Sequence, residues 1–237
     1  MSDSEHGTFA LILAAAGRSS RFSHEGSSDP AVKKTFAHLG GKPVWLRCAE
    51  KFASRDDVIQ IIVVVGPDDM AWFRKYYMSE INRMLLLVVQ GGENRVDSVR
   101  NALVSVTTKA DFVVVHDAAR PCVTEHEIDV VFRAAKKHGA ALLAAPVVGT
   151  IKKVAEEYVE ATVPREHLWE AQTPQVFRRE LLLEAYQQKI KDIPTDDAQL
   201  VERLGHPVYI VPADHGNIKI TTQADLVLAK YLVEKGR

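Results

Sequence analysis

Six short runs of apolar residues, at 9–16, 58–65, 84–89, 112–115, 140–148 and 208–211, punctuate the chain. They are rich in Val, Ile and Leu and scarcely alternate with polar residues, the pattern of strands buried on both faces. Between them lie stretches with helical spacing, at 43–54, 68–77, 93–106, 125–138, 178–189, 196–204 and 223–235. Strand alternating with helix predicts an α/β fold: a Rossmann-like, mostly parallel sheet with helices on both faces. Of the 237 residues, 46% are hydrophobic and 26% charged, enough for such a core and incompatible with a disordered or fibrous chain. Residues 1–237 read as a single domain.

Two segments break the rhythm. Residues 23–34 form a polar stretch directly after the first strand, at the end of the sheet where open α/β folds bind ligands, and so stand where a lid would be. Residues 149–175 carry Lys152-Lys153, Glu156-Glu157, Pro164 and Pro174. They are too polar for a core layer and too long for a plain connection, and read as an arm inserted in the domain.

Charge and cysteine content narrow the function. Lys and Arg number 30 against 31 Asp and Glu, a net charge of -1, so there is no global basic field to hold nucleic acid. An anionic ligand would need a few placed cations and backbone amides. Cys48 and Cys122 are too few for a disulfide framework, which suggests a reduced, cytoplasmic setting. The histidines show no ligand spacing, so no zinc site is expected. The longest apolar run is far too short for a membrane span, and the polar, acidic start does not read as a signal peptide.

The first candidate for chemistry is Leu13-Ala14-Ala15-Ala16-Gly17-Arg18-Ser19-Ser20-Arg21. Small residues at a strand end let backbone approach a ligand, a turn of free N–H groups can cradle phosphate, and Arg21 is near enough to reach the same anion. The competing reading is a tight turn with a solvated arginine. Neither G-x-G-x-x-G nor a P-loop is present. Further segments follow in order: Lys33-Lys34-Thr35-Phe36, Gly91-Gly92-Glu93-Asn94-Arg95-Val96-Asp97-Ser98-Val99 and His116-Asp117-Ala118-Ala119-Arg120-Pro121. Then come Ala145-Pro146-Val147, Thr150-Ile151-Lys152, Leu168-Trp169-Glu170-Ala171-Gln172-Thr173-Pro174-Gln175, Thr195-Asp196-Asp197 and Asn217-Ile218-Lys219-Ile220-Thr221.

This ordered series resembles the 2-C-methyl-D-erythritol 4-phosphate cytidylyltransferase family from about residue 9 to about residue 232. The resemblance implies transfer of a cytidylyl group from CTP to a sugar-alcohol phosphate, with release of pyrophosphate, in non-mevalonate isoprenoid synthesis. It makes Arg21, Lys34 and Lys219 the catalytic cations around the triphosphate, with Mg²⁺ bridging phosphate oxygens, placed near Asp117 if the protein holds it at all. Ala15, Ala16, Gly17, Gly92, Glu93, Ser98 and Asp117 would contact CTP. Asp117, Arg120, Thr150, Arg165, Thr173, Thr195 and Lys219 would contact the sugar phosphate. Lys33 and Lys34 compete for one role, and register with Phe36 selects Lys34. The family often has a second glycine where Ser19 stands, and its loop at 23–33 is typically shorter. His116 reads as a structural histidine rather than a general base. The resemblance also implies a homodimer in which the 149–175 arm embraces the partner. Two alternatives remain open at this level, a ribitol-5-phosphate cytidylyltransferase and a non-catalytic nucleotide-binding module.

Overall fold

The computed structural model describes residues 7–19, 22, 33–189 and 192–237. Arg21, and the lid expected at 23–34 apart from Lys33 and Lys34, therefore lie outside the described residues.

A seven-stranded sheet organises the molecule, in the order β11 (Tyr209–Pro212), β7 (Ala140–Pro146), β10 (Trp169–Arg178), β6 (Phe112–Asp117), β1 (Phe9–Ala14), β4 (Val58–Val65), β5 (Leu87–Gln90). β1 pairs in parallel with both β4 and β6, β4 with β5, and β7 with β11. β10 alone runs antiparallel, between β6 and β7. The mostly parallel α/β sheet expected from the apolar runs is thus present, with one reversed strand inside it.

Alternate residues of the strands feed two cores. Phe9, Leu11, Leu13, Val63 and Val114 face one layer with Trp45, Phe52 and Phe132. Ala10, Ile12, Ile62, Val64 and Val113 face the other with Val99, Leu182 and Val201. The first layer is covered by α1 (Val44–Ala53), α2 (Met70–Tyr76) and α5 (Glu125–His138), the second by α4 (Arg95–Leu103), α6 (Arg179–Gln187) and α7 (Ala198–Arg203). Burying each large apolar side chain contributes roughly 1.5–3 kcal/mol, so sheet and helices stabilise one another. α5 has strong local signals: Thr124 and Glu127 form a capping box, and Gly139, at φ +83°, ends the helix in the left-handed region that glycine tolerates best. Short α3 (Met78–Arg83) follows α2, and α8 (Gln223–Glu234) packs over a small third cluster containing Leu39, Cys122 and Ile220. Strands β2 (His38–Leu39) and β3 (Lys42–Pro43) form a minor hairpin before α1.

The 149–175 arm needs a new boundary. Only β8 (Ile151–Ala155) and β9 (Tyr158–Val163) stand apart, as a hairpin turned by Glu156 and Glu157, both at positive φ. Such two-residue turns match the twist of a hairpin. From Trp169 onward the chain is β10, inside the main sheet. Its polar residues Gln172, Thr173 and Gln175 are buried because each has hydrogen-bond partners there. Among the described residues, no helix is long and apolar enough to cross a membrane.

Candidate active site

β1 leads to β4 and β5 on one side, and the chain then returns to β6 on the other. That reversal opens a crevice beyond the carboxyl ends of β1 and β6, the general ligand position in open α/β sheets. A cavity of about 720 Å³ lies there. Ala16 and Gly17 line it after β1, Gly92, Glu93 and Ser98 after β5, and Asp117 at the end of β6. Lys34 and Lys219 reach it from distant segments. Eight of the expected residues thus converge on one space.

The loops are built for close approach. A Cβ on Gly92 would stand 2.4 Å from that of Asp97, so the turn into α4 admits no side chain there. Ser98 Oγ accepts from the Gly92 N–H at 3.1 Å and donates to the Asn94 carbonyl at 2.8 Å, closing the same turn. Asn94, not Glu93, caps α4, accepting from the Asp97 N–H at 3.0 Å. After β1, Ser19 sits at φ +57°, a conformation that favours glycine, which accounts for the family's frequent glycine at this place. The Ala15 side chain is in the core and its N–H donates to the Val64 carbonyl.

Asp117 is the electrostatic centre. Its Oδ1 accepts from Arg95 Nε at 3.1 Å, and its Oδ2 lies 2.6 Å from Lys219 Nζ. Burial alone would raise its pKa, but the Arg95 and Lys219 charges outweigh that and hold it well below the ordinary carboxylate range. Arg95 also pairs with buried Asp197 at 2.7 Å, and Tyr186 donates to the other Asp197 oxygen at 2.5 Å. Burial opposes the Arg95 charge, yet the two aspartates raise its pKa above the ordinary arginine range. Arg95 Nη1 is buried without a hydrogen-bond partner among the described residues. Sequence reasoning included Arg95 and Asp197 in motifs but gave them no role, since nothing in spacing reveals that α4 and the 195–197 segment meet.

A chain of hydrogen bonds fixes Asp117 from behind. The Arg120 carbonyl can only accept, so His116 Nε2 donates to it at 3.2 Å and Nδ1 must accept from the Thr173 hydroxyl at 3.1 Å. The Thr173 oxygen in turn accepts from the Asp117 N–H at 3.0 Å. Burial pushes the His116 pKa down to about 3, so its ring is neutral at ordinary pH and both nitrogens are in use. This supports a structural histidine. Thr173, expected to touch substrate, is buried with its hydroxyl committed to this chain.

Other expected residues lie outside this cavity. Arg120 does not line the cavity: it is buried, donates to the Asn217 carbonyl at 2.7 Å, and so braces the segment that carries Lys219. The neighbouring Ile220 N–H donates to the Ala119 carbonyl at 2.8 Å, completing that brace. Thr150 and Arg165 are exposed on the hairpin side, away from this cavity, with Arg165 donating to the Val148 carbonyl. Thr195 is exposed before α7, its N–H given to Gln199 at 2.9 Å. Among the described residues, no group of three or more His, Cys, Asp or Glu side chains is placed to hold a metal ion.

A family profile described as IspD, 2-C-methyl-D-erythritol 4-phosphate cytidylyltransferase, matches residues 9–235. The enzyme of that name from Solibacter usitatus is 41% identical over 234 residues, covering 95% of this chain and 96% of the relative. That from Pelotomaculum thermopropionicum is 39% identical over 229 residues, covering 95% and 94%. The crystal structure of the enzyme from Thermus thermophilus superposes with a TM-score of 0.75 at 30% identity, over 95% of this chain and 98% of that one. By sequence and fold together, over nearly its whole length, the chain belongs to the 2-C-methyl-D-erythritol 4-phosphate cytidylyltransferase family.

Proposed function

We propose that the cavity binds CTP, and that this cytidylyltransferase joins it to 2-C-methyl-D-erythritol 4-phosphate, giving 4-diphosphocytidyl-2-C-methyl-D-erythritol and pyrophosphate. The observation that carries the reading is the meeting of the loops after β1 and β5 with Lys34, Lys219 and Arg95 around one carboxylate, Asp117. The cavity volume is within the usual range for small-molecule sites, roughly 300–1,000 Å³.

The chemistry needs little from side-chain bases. A phosphate monoester has its second pKa near ~6 and is largely dianionic at neutral pH, so its oxygen attacks the α-phosphorus without proton removal. A new P–O bond forms there, the bond to the bridging α–β oxygen breaks, and pyrophosphate leaves with that electron pair. The barrier is the approach of two anions and the charge that builds on the α-phosphate oxygens, which placed cations lower. Arg21, Lys34 and Lys219 fill that role. Arg95, paired with Asp117 and Asp197, adds positive charge beside the same phosphates. Gly17 and Gly92 keep backbone open to the nucleotide, while the first turn of α4 walls the base. Ser98 belongs to that turn, and Glu93 lines the cavity just before its cap.

Magnesium fits as an ion carried by the triphosphate. It keeps phosphate oxygens and waters as ligands and needs only one or two protein carboxylates. Asp117, at the centre of the cavity, would be one such carboxylate, with lone pairs beyond those used by Arg95 and Lys219. When bound, the ion neutralises phosphate charge.

Thr150 and Arg165, remote from their own cavity, suit a homodimer in which each hairpin serves the neighbouring site. Ile151, Val154, Tyr158 and Val159 on the hairpin are exposed, an apolar surface for such a contact. Purified protein with Mg²⁺ and CTP should release pyrophosphate on addition of methylerythritol phosphate, with ATP a poor substitute. Equal or faster turnover of ribitol 5-phosphate would move the substrate assignment to that polyol.

A further inference from the structure

Lys33 and Lys34 both border the cavity, and Lys33 gives its ammonium to a carboxylate outside every family motif quoted above. Lys33 Nζ stands 2.8 Å from Asp69 Oδ1 and 2.6 Å from Oδ2. The Asp69 side chain is only 2% exposed and that of Lys33 17%. The pair bridges two walls of the cavity. On one side is the turn after β4, where the Asp69 N–H donates to the Gly66 carbonyl at 3.0 Å. On the other is the turn whose Phe36 and Ala37 N–H groups both donate to the Lys33 carbonyl, at 3.0 and 2.9 Å. Phe36 anchors that turn among Trp72, Phe73 and Tyr77. Lys34 sits between the ion pair and the aromatic anchor, its N–H donating to Ser19 Oγ at 3.2 Å in the loop after β1.

We propose that Asp69 is a positioning residue for cytidylyl transfer: it engages Lys33 and so holds the register in which Lys34 meets the nucleotide. The proposal rests on the cavity being the CTP site. An ammonium bound to both oxygens of a buried carboxylate presents a nearly neutral pair to an incoming triphosphate. Moving Lys33 to phosphate would strand the Asp69 charge in the protein, and a buried charge left without its partner is strongly unfavourable. The pair therefore keeps the Lys33 ammonium on Asp69 and fixes the turn that carries Lys34. It also ties the turns after β4 and before β2 together, and misplacement of a binding group by about 1 Å costs up to ~100-fold in rate.

The test is a double-mutant cycle on the full chain, with CTP, methylerythritol phosphate and Mg²⁺, reading kcat, KM and melting temperature. Lys34→Met should lower kcat/KM for CTP by ~100-fold or more, while Lys33→Met and Asp69→Asn each lower it by about tenfold. Lys33→Met/Asp69→Asn should remain near that same tenfold, because two residues acting as one unit are not additive. The singles leave a buried charge and should melt lower, whereas the double variant should regain much of the melting temperature without regaining kcat/KM. Full activity in the double variant would make the pair a purely structural contact and overturn the proposal. Lys33→Met as damaging as Lys34→Met, with Asp69→Asn harmless, would overturn it in favour of Lys33 as the phosphate lysine. A raised Mg²⁺ requirement in Asp69→Asn alone would make Asp69 a metal ligand instead. If wild-type protein does not consume CTP, the CTP reading itself fails, an outcome distinct from all of these.

Discussion

Asp117 organises the site at the smallest scale. It separates two cations that would otherwise repel each other across the cavity, and it holds Lys219 at 2.6 Å. Asp117→Asn removes the charge that holds Lys219, so kcat should fall ~100-fold. Unchanged kcat in steady-state assays would contradict that role. His116 gives a stability prediction with a definite sign. Its pKa is lowered from 6.5 to about 3, so between those values the unfolded chain binds a proton that the folded chain does not. The contribution is therefore complete above pH 6.5 and is lost progressively toward pH 3, with a slope of up to about 1.4 kcal/mol per pH unit. Urea denaturation across that window should show a shallower pH dependence for His116→Gln than for wild type. An identical slope would mean that other groups dominate.

At the level of elements, the loops after β1, β5 and β6 carry most of what the sequence made legible. Gly17, Gly92, Ser98 and Asp117 stand in separate short motifs at strand ends, where apolar periodicity stops abruptly. β10 was not legible, because Gln172, Thr173 and Gln175 look like loop residues until their buried partners are known. For the related reason that residue type gives no direction, sequence alone does not show the internal hydrogen bonds of Arg120 and Thr173. Both are polar residues beside the site whose hydrogen bonds point into the protein. The turn into α4 makes the sharpest prediction for an element. Gly92→Ala would force a Cβ to within 2.4 Å of Asp97 Cβ. Overpacking of this kind costs roughly 1–3 kcal/mol, so the melting temperature should fall and KM for CTP should rise together. A stable variant with normal KM would place the cytidine elsewhere.

Over the whole molecule, the separation of Thr150 and Arg165 from the cavity leads to an assembly prediction. Arg165→Ala should raise KM for methylerythritol phosphate more than for CTP. At methylerythritol phosphate well below the KM of Arg165→Ala, Lys34→Ala and Arg165→Ala proteins, each nearly inactive alone, should when mixed and allowed to exchange subunits regain about a quarter of wild-type activity, since half the dimers are mixed and half their sites are intact. No recovery after verified exchange would confine Arg165 to its own subunit. The separate β8–β9 hairpin was foreshadowed by the broken rhythm after residue 149, although periodicity alone does not express how its exposed apolar residues are used. The central claim is that cytidylyl transfer occurs in the cavity between Gly17, Gly92 and Asp117. Its most direct test is pyrophosphate release from CTP and methylerythritol phosphate by wild-type and Lys219→Ala proteins side by side. Rapid release by wild type, reduced ~100-fold or more in a folded Lys219→Ala protein, is the predicted result. Equal rates for the two would contradict it.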